Sequence, residues 1–244
     1  MRLLGRLVPR SEISSEQRSE MFALMERYYE NVSEATFSAD LEEKQWAIIL
    51  TDPLSERICG FSTQMLLEAS VAGRPVKALF SGDTIIERER WGDRALARVW
   101  GRFALSLIDR LPTAELYWFL ISKGYKTYRF LPLFFHEFYP RYDVTTPEWA
   151  KEVTDGLAQL RYPAYDPALG IVRADETKDR LRPGVADVGE ERLSDPHVRF
   201  FVERNPGHAR GDELCCIAPL TRENFRAAAY RVIGTAEPAM SVRV

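Results

Sequence analysis

Arginines at positions 90, 94, 98 and 102 recur every four residues. From Arg94 onward that spacing sets their side chains along one face of a helix, and Leu96, Val99, Trp100 and Phe103 fall on the other side. With Arg88, residues 86–102 carry five arginines against Glu87, Glu89 and Asp93, a local charge of +2 in a chain of formal net charge −3. Two readings stand. One is a solvated helix face whose arginines pair with nearby acids. The other is an anion site. A strand that enters a glycine-containing turn and then a helix presents free backbone N–H groups at the positive end of the helix dipole. Flanking guanidinium groups add charge-assisted contacts to a phosphate. Residues 81–100 (SGDTIIERERWGDRALARVW) have that layout, which suggests a phosphorylated ligand or carrier. Asp93 is also a good helix cap.

Other chemistries find little to stand on. There is no GxSxG nucleophile elbow, no GxxxxGK[ST] phosphate loop and no GxGxxG dinucleotide loop. Three histidines, at 136, 197 and 208, without an HExxH, leave no zinc site, and no metal is expected. Cys215 or Cys216 with His197 or His208 could form a thiol nucleophile pair, but a buried strand cysteine is favoured. Cys59, Cys215 and Cys216 make no CxxC and are read as reduced thiols of a cytoplasmic protein. Arg2 and Arg6 interrupt the apolar start, so no signal peptide is read, and no run reaches the length of a membrane span. A charge of −3 excludes a general nucleic-acid binder. The 244 residues, 45% of them hydrophobic, suffice for a real core.

Hydrophobic periodicity gives the elements that must hold this chemistry. Residues 14–31 read as a helix capped by Ser14 or Ser15. Strands are expected over 45–50, 57–67 and 76–86, an antiparallel meander, with a hairpin at Ala72-Gly73-Arg74. A helix follows over 94–110 until Pro112 ends it, then a central strand over 115–121 and a helix over 125–139. Further on, a helix over 147–160, irregular structure over 161–196, helices over 195–203 and 224–233 and a strand over 213–220 are expected, and the tail after Gly234 is expected to fray. The window 117–142 is rich in aromatics, six of them between Tyr128 and Tyr139. Core is the favoured reading, and a wall for an apolar ligand is the functional one.

This order of elements resembles the Gcn5-related N-acetyltransferase (GNAT) superfamily, whose long central strand runs into a pyrophosphate loop, [RQ]xxGx[GA], at the start of a helix. The motif departs here: with Gly92 in the first glycine position, Glu89 stands where Arg or Gln is expected and Arg94 where a small residue is. A second register uses Arg90 and Ala95 and displaces the glycine. SGDT, WG, YWFLISKGYKTYRFLPLFFHEFYP and RNPGHARGDELCCIAPL also resemble the N-acyl amino acid synthase branch, which is associated with long acyl chains on acyl carrier protein. The resemblance covers about residues 14–142. It implies an α+β fold with a mixed, mostly antiparallel sheet flanked by helices, a core over 1–146 and a C-terminal α/β extension over 147–244 packed on it.

The implied activity is acyl transfer from a phosphopantetheine thioester, acyl-CoA or acyl carrier protein, to a small-molecule amine such as an amino acid. A catalytically silent binding or partner-docking protein of the same fold is the alternative. The resemblance assigns donor binding to the backbone of Thr84, Ile85 and Ile86 and to the turn Arg90, Trp91, Gly92, Asp93, Arg94 and Ala95. Asp83 is the candidate base for the amine, its rival role being a carboxylate bonded to backbone near Gly82. Tyr128 and Tyr139 are candidate acids for the thiolate, and His136-Glu137 is a further acid/base pair.

Overall fold

The computed structural model describes residues 2–234; the tail beyond Gly234 lies outside them. The chain runs through β1 (Leu4–Pro9), α1 (Ser15–Tyr28), β2 (Tyr29–Glu30), α2 (Glu34–Glu43), β3 (Trp46–Thr51), β4 (Ile58–Val71) and β5 (Arg74–Ile86). It continues through α3 (Ala95–Arg110), β6 (Glu115–Ser122), α4 (Tyr125–Tyr128), α5 (Phe130–Phe134) and α6 (Glu148–Arg161). The short strands β7 (Tyr165–Asp166), β8 (Ile171–Val172) and β9 (Arg180–Leu181) lead to α7 (Pro196–Arg204), β10 (Glu213–Pro219) and α8 (Ala227–Ile233). Strands order as β1-β3-β4-β5-β6-β10-β8-β7, with β2 and β9 forming a separate pair. Among the described residues only β5 and β6 pair in parallel; the other strand pairings are antiparallel. This is the mixed, mostly antiparallel sheet flanked by helices that the resemblance implies.

Local signals explain the helices. Ser14 and Gln17 close a reciprocal capping box on α1, which buries Met21, Leu24, Met25 and Tyr28. Amphipathic α3 buries Leu96, Val99, Trp100, Phe103 and Leu107. On the α3 side one core cluster joins the sheet to α3, α5, α7 and α8. On the opposite side, α1 and α2 cover β3, β4 and the end of β5, and α6 covers β4, β5, β6 and β10.

Several expectations are corrected. β1 and α2 are elements that periodicity did not mark. The helix expected over 125–139 is instead α4 and α5 followed by extended chain, with Tyr139 bridged to Ile217; Pro132 and the approach of β10 break the helix. The C-terminal extension does more than pack on the core. β10 pairs with β6 from Leu214–Ser122 to Pro219–Tyr117, so both parts of the chain share one sheet. The aromatic window is mostly core: Tyr128, Phe135 and Phe138 are fully buried. Cys59, Cys215 and Cys216 are free and buried. Among the described residues no helix is long and apolar enough to cross a membrane, and no cluster of metal-ligating side chains occurs.

Candidate active site

β5 and β6 pair from Val76–Glu115 to Ser81–Leu120 and then part. β5 runs on to Ile86, held only by β4. At the parting point the register jumps: Ser62 faces Thr84 but Gln64 faces Ser81, so Gly82 and Asp83 together oppose Thr63. This is a β-bulge on β5, which bends the strand and sharpens its twist. Ser81 and Thr84 share the face of Gln64 and Ser62, so Gly82 and Asp83 both fall on the other face, toward α2. The first of them must be small, because a Cβ at Gly82 would meet Thr63 Oγ1 at 2.6 Å and Lys44 Cε at 3.0 Å.

A buried polar chain fastens the parting point. The indoles of Trp100 and Trp118 both donate to Ser81 Oγ, at 3.2 and 3.0 Å. Ser81 donates to Gln64 Oε1 (2.8 Å), and Gln64 Nε2 donates to Ser62 Oγ (2.7 Å), which shares a hydrogen bond with Thr84 Oγ1 (2.7 Å). Each buried polar group in the chain has a partner, so β5 leaves β6 at a defined residue.

The gap between the strands opens into a cleft of about 790 Å³. One wall is residues 82–86 of β5 and the other residues 121–127. The Glu87 amide donates to Cys59 O at 2.9 Å. By the alternation of an antiparallel ladder, Ile85 then exchanges its bonds with Phe61, while the peptide groups of Thr84 and Ile86 face the gap. The Ile86 carbonyl is taken by Trp91 Nε1 (2.9 Å). Thr84 and Ile86 thus offer backbone groups to a ligand in the cleft, and Ile85 offers only its side chain.

Asp83 lines the cleft, half-buried, with no hydrogen bond or ion pair to another described residue. Burial and the nearby Asp40 carboxylate push its carboxyl up to about 7, against the opposing pull of Lys123 and Lys44. The neighbouring charges are matched among themselves. Lys44, only 2% exposed, pairs with Asp40 at 2.6 Å. Lys123 pairs with Asp179 and lies 3.7 Å from Glu213; burial works against its charge, but Glu213 and Asp179 outweigh that and hold it protonated. Tyr29 packs its ring 5.4 Å from the Lys123 ammonium, and burial raises its phenol. Asp83 is the acid left over, and it faces open space.

The tyrosines expected as acids do not reach this cleft. Tyr128 is fully buried and donates to Pro140 O at 3.0 Å, among Phe138, Phe200 and Phe201. Tyr139 lies against Trp149 and donates to Glu137 at 3.2 Å. Packing claims both: Tyr128, at the end of α4, and Tyr139, on the extended chain after α5, each sit in a core cluster. His136 and Glu137 also lie outside the cleft. Tyr28, Tyr29, Tyr162 and Tyr125, the last at the start of α4, line it instead.

The turn before α3 is also corrected. Asp93 accepts from the Ala95 amide (2.7 Å) and from the Leu3 amide (2.9 Å), so a carboxylate already occupies the N-terminus of α3. Arg90 pairs with Asp52 at 2.7 Å. Gly92 and Arg94 are exposed, and none of Arg90, Gly92, Asp93, Arg94 or Ala95 lines the cleft. The cleft meets this corner only through Ile86, Trp91 and Leu96. The stripe is the outer face of α3.

The cations that do border the cleft went unmarked in the sequence. Lys126 lies 3.2 Å from the centre of the Trp91 ring and donates to Val185 O at 2.8 Å. Arg129 pairs with Asp195 (3.2 Å), and Arg192 lines the same end. A strap over residues 174–192 brings Arg192 there; it packs on Gly124, where an added Cβ would stand 3.3 Å from both Ala186 and Leu181.

No protein-family model matches this sequence, and no curated protein matches it. Among solved structures the chain is similar to a conserved protein of Enterococcus faecalis V583, a "Probable N-Acyltransferase", at 15% identity over 55% of this chain and 33% of that one, with a TM-score of 0.41. It is also similar to a GCN5-related N-acetyltransferase from Kribbella flavida (12% identity, 56% and 34% covered, TM-score 0.39). A GNAT family N-acetyltransferase of Escherichia coli in complex with CoA matches at 16% identity over 50% of this chain and 64% of that one, with a TM-score of 0.37. The chain spans about a third of the first two proteins and under two thirds of the other.

Proposed function

We propose that this protein is a GNAT-like acyltransferase that moves an acyl group from a phosphopantetheine thioester, on CoA or on acyl carrier protein, to an amine. The observation that carries the reading is the parting of β5 from β6 at Ser81–Leu120, which opens a cleft with ligand-facing peptide groups at Thr84 and Ile86 and an unmatched carboxylate, Asp83, on its wall. An extended pantetheine arm fits such a gap, because it can take up the hydrogen bonds that β6 no longer makes. A protonated amine acceptor finds a counter-charge at Asp83.

The chemistry follows in order. A carboxylate that titrates near 7 accepts the ammonium proton, directly or through water, and frees the nitrogen lone pair. The nitrogen attacks the thioester carbonyl carbon, and backbone N–H groups of the parted strand stabilise the oxyanion. The C–S bond breaks as the C–N bond is kept. The leaving thiolate takes a proton from Tyr125, one of the tyrosines that line the cleft, and the second proton of the acylated nitrogen returns to that phenolate, leaving a neutral amide. The acyl chain has an apolar lining in Met25, Phe37, Phe80 and Ile121.

The silent binding protein is favoured by one observation: Asp93 caps α3 where the family's loop would hold a pyrophosphate. Turnover separates the two. Purified protein is mixed with acyl-CoAs of several chain lengths, or acyl carrier protein thioesters, and a panel of amines including amino acids. Free thiol and N-acylated product are then followed by mass spectrometry. Amine-dependent thiol release supports transfer. Tight donor binding without release supports the silent reading, and neither binding nor release removes both.

A further inference from the structure

We propose that Lys126, seated over Trp91, and Arg192, which lines the same cleft, form a phosphate subsite away from the N-terminus of α3. The inference rests on the acyl-transfer reading for the identity of the ligand, but its residues are defined by geometry alone. Lys126 comes from α4, Arg192 from the strap after β9, and Trp91 from the end of the β5–α3 connection, so three distant segments converge.

The charges there do not balance. The Lys126 ammonium sits over the Trp91 face, with Arg88 over the same ring at 5.3 Å. Burial and the neighbouring Arg88 and Arg192 pull its pKa down to about 8, and Asp187 opposes them only weakly. Asp187 itself is turned to the Gly184 amide (2.9 Å). Arg88 donates to Gly184 O, and among the described residues Arg192 meets only the exposed Glu191, at 3.8 Å. Cations crowded onto one indole and partly withdrawn from water are unfavourable unless an anion completes the set. Lys126 spends one N–H on Val185 O and keeps two for a ligand. The fitting ligand is a phosphate ester: compact, anionic, and able to accept from an ammonium and a guanidinium together. The phosphate on the pantetheine arm and those of the CoA nucleotide share this chemistry. The subsite also takes over a task that the Asp93-capped helix end does not perform.

Isothermal titration tests it with four probes: CoA, 4′-phosphopantetheine, pantetheine and inorganic pyrophosphate. Lys126→Gln and Arg192→Gln are each expected to weaken the phosphate-bearing probes about 10- to 100-fold, to leave pantetheine unchanged and to flatten the salt dependence. Lys126→Arg restores most of the affinity. Arg192 is exposed on the strap, so its variant tests the site even if a Lys126 substitution disturbs packing. Equal affinity for 4′-phosphopantetheine and CoA assigns the subsite to the arm phosphate; affinity only for CoA assigns it to the nucleotide. Wild-type affinity for CoA and pyrophosphate in folded Lys126→Gln and Arg192→Gln overturns the subsite and leaves acyl transfer standing. Pyrophosphate binding that depends on Lys126, with no affinity for CoA or 4′-phosphopantetheine, keeps the subsite and removes the acyl-transfer reading.

Discussion

Replacing Asp83 by Asn removes one charge while keeping the shape of the side chain, and it should raise stability while it destroys activity. The wild-type carboxyl titrates near 7 instead of at its ordinary 3.8 because burial and Asp40 disfavour its charged form. The folded state therefore binds more protons than the unfolded state between about pH 4 and pH 7, and stability falls as pH rises through that window. At pH 8 the full penalty is present, at most about 4 kcal/mol and about half that once solvent in the cleft is allowed for. Asp83→Asn escapes the penalty, so its Tm should exceed the wild type's by about 4–8 °C at pH 8, and the gap should close toward pH 4. Turnover should fall about 10²- to 10⁴-fold, the usual contribution of a positioned base, with donor affinity retained. Wild-type kcat/KM should climb with pH through about 7. Thermal melts from pH 4 to 8 and thiol-release kinetics on the same samples read both halves. A variant that melts below the wild type at pH 8, or that turns over normally, would refute the view of Asp83 as an unmatched carboxylate retained for proton transfer.

Three further substitutions probe the frame. Ser81→Ala strands the Trp100 and Trp118 indoles and Gln64 Oε1 in the core; it should cost roughly 2–4 kcal/mol, seen as a lower midpoint in urea, with donor affinity weakened because the parting point is no longer fixed. Gly82→Ala forces a methyl against Thr63 Oγ1 and Lys44; a loss of about 1–3 kcal/mol is expected, and an unchanged melting curve would show that the bulge has room. Tyr125→Phe keeps the ring and removes the proton donor; kcat should fall at least about tenfold with KM for donor unchanged, and stopped-flow thiol release checks it.

Local pattern settled the local elements. Ser14 with Gln17 marks the start of α1, the spacing of Leu96, Val99, Trp100 and Phe103 marks α3, and the β4–β5 hairpin is legible at Ala72-Gly73-Arg74. Asp93 shows both the reach and the limit of such reading. It is recognisable as a cap, and a capped helix end is a poor anion site, but the arginines beside it draw the eye to the opposite conclusion. Of the stripe only Arg94 is exposed; Arg98 and Arg102 are half-buried on the outer side of α3, where Arg102 donates to Ile233 O, and Arg90 pairs with Asp52 before the helix begins.

What the sequence determined by itself is the capped and amphipathic helices α1 and α3 and the long strands β3 to β6, because short-range periodicity and steric preference act over a few residues; the choice of residues 84–86 and of Asp83 rested on the family resemblance. Only the tertiary structure decided which charges face one another. Lys126 meets Trp91, Lys123 meets Asp179, and Trp100 and Trp118 meet Ser81 through folding alone. No repeat or spacing encodes these meetings, since they are set by how β6, the strap and α3 pack around one bulged strand, and electrostatic energy depends on that distance in space and not on separation along the chain.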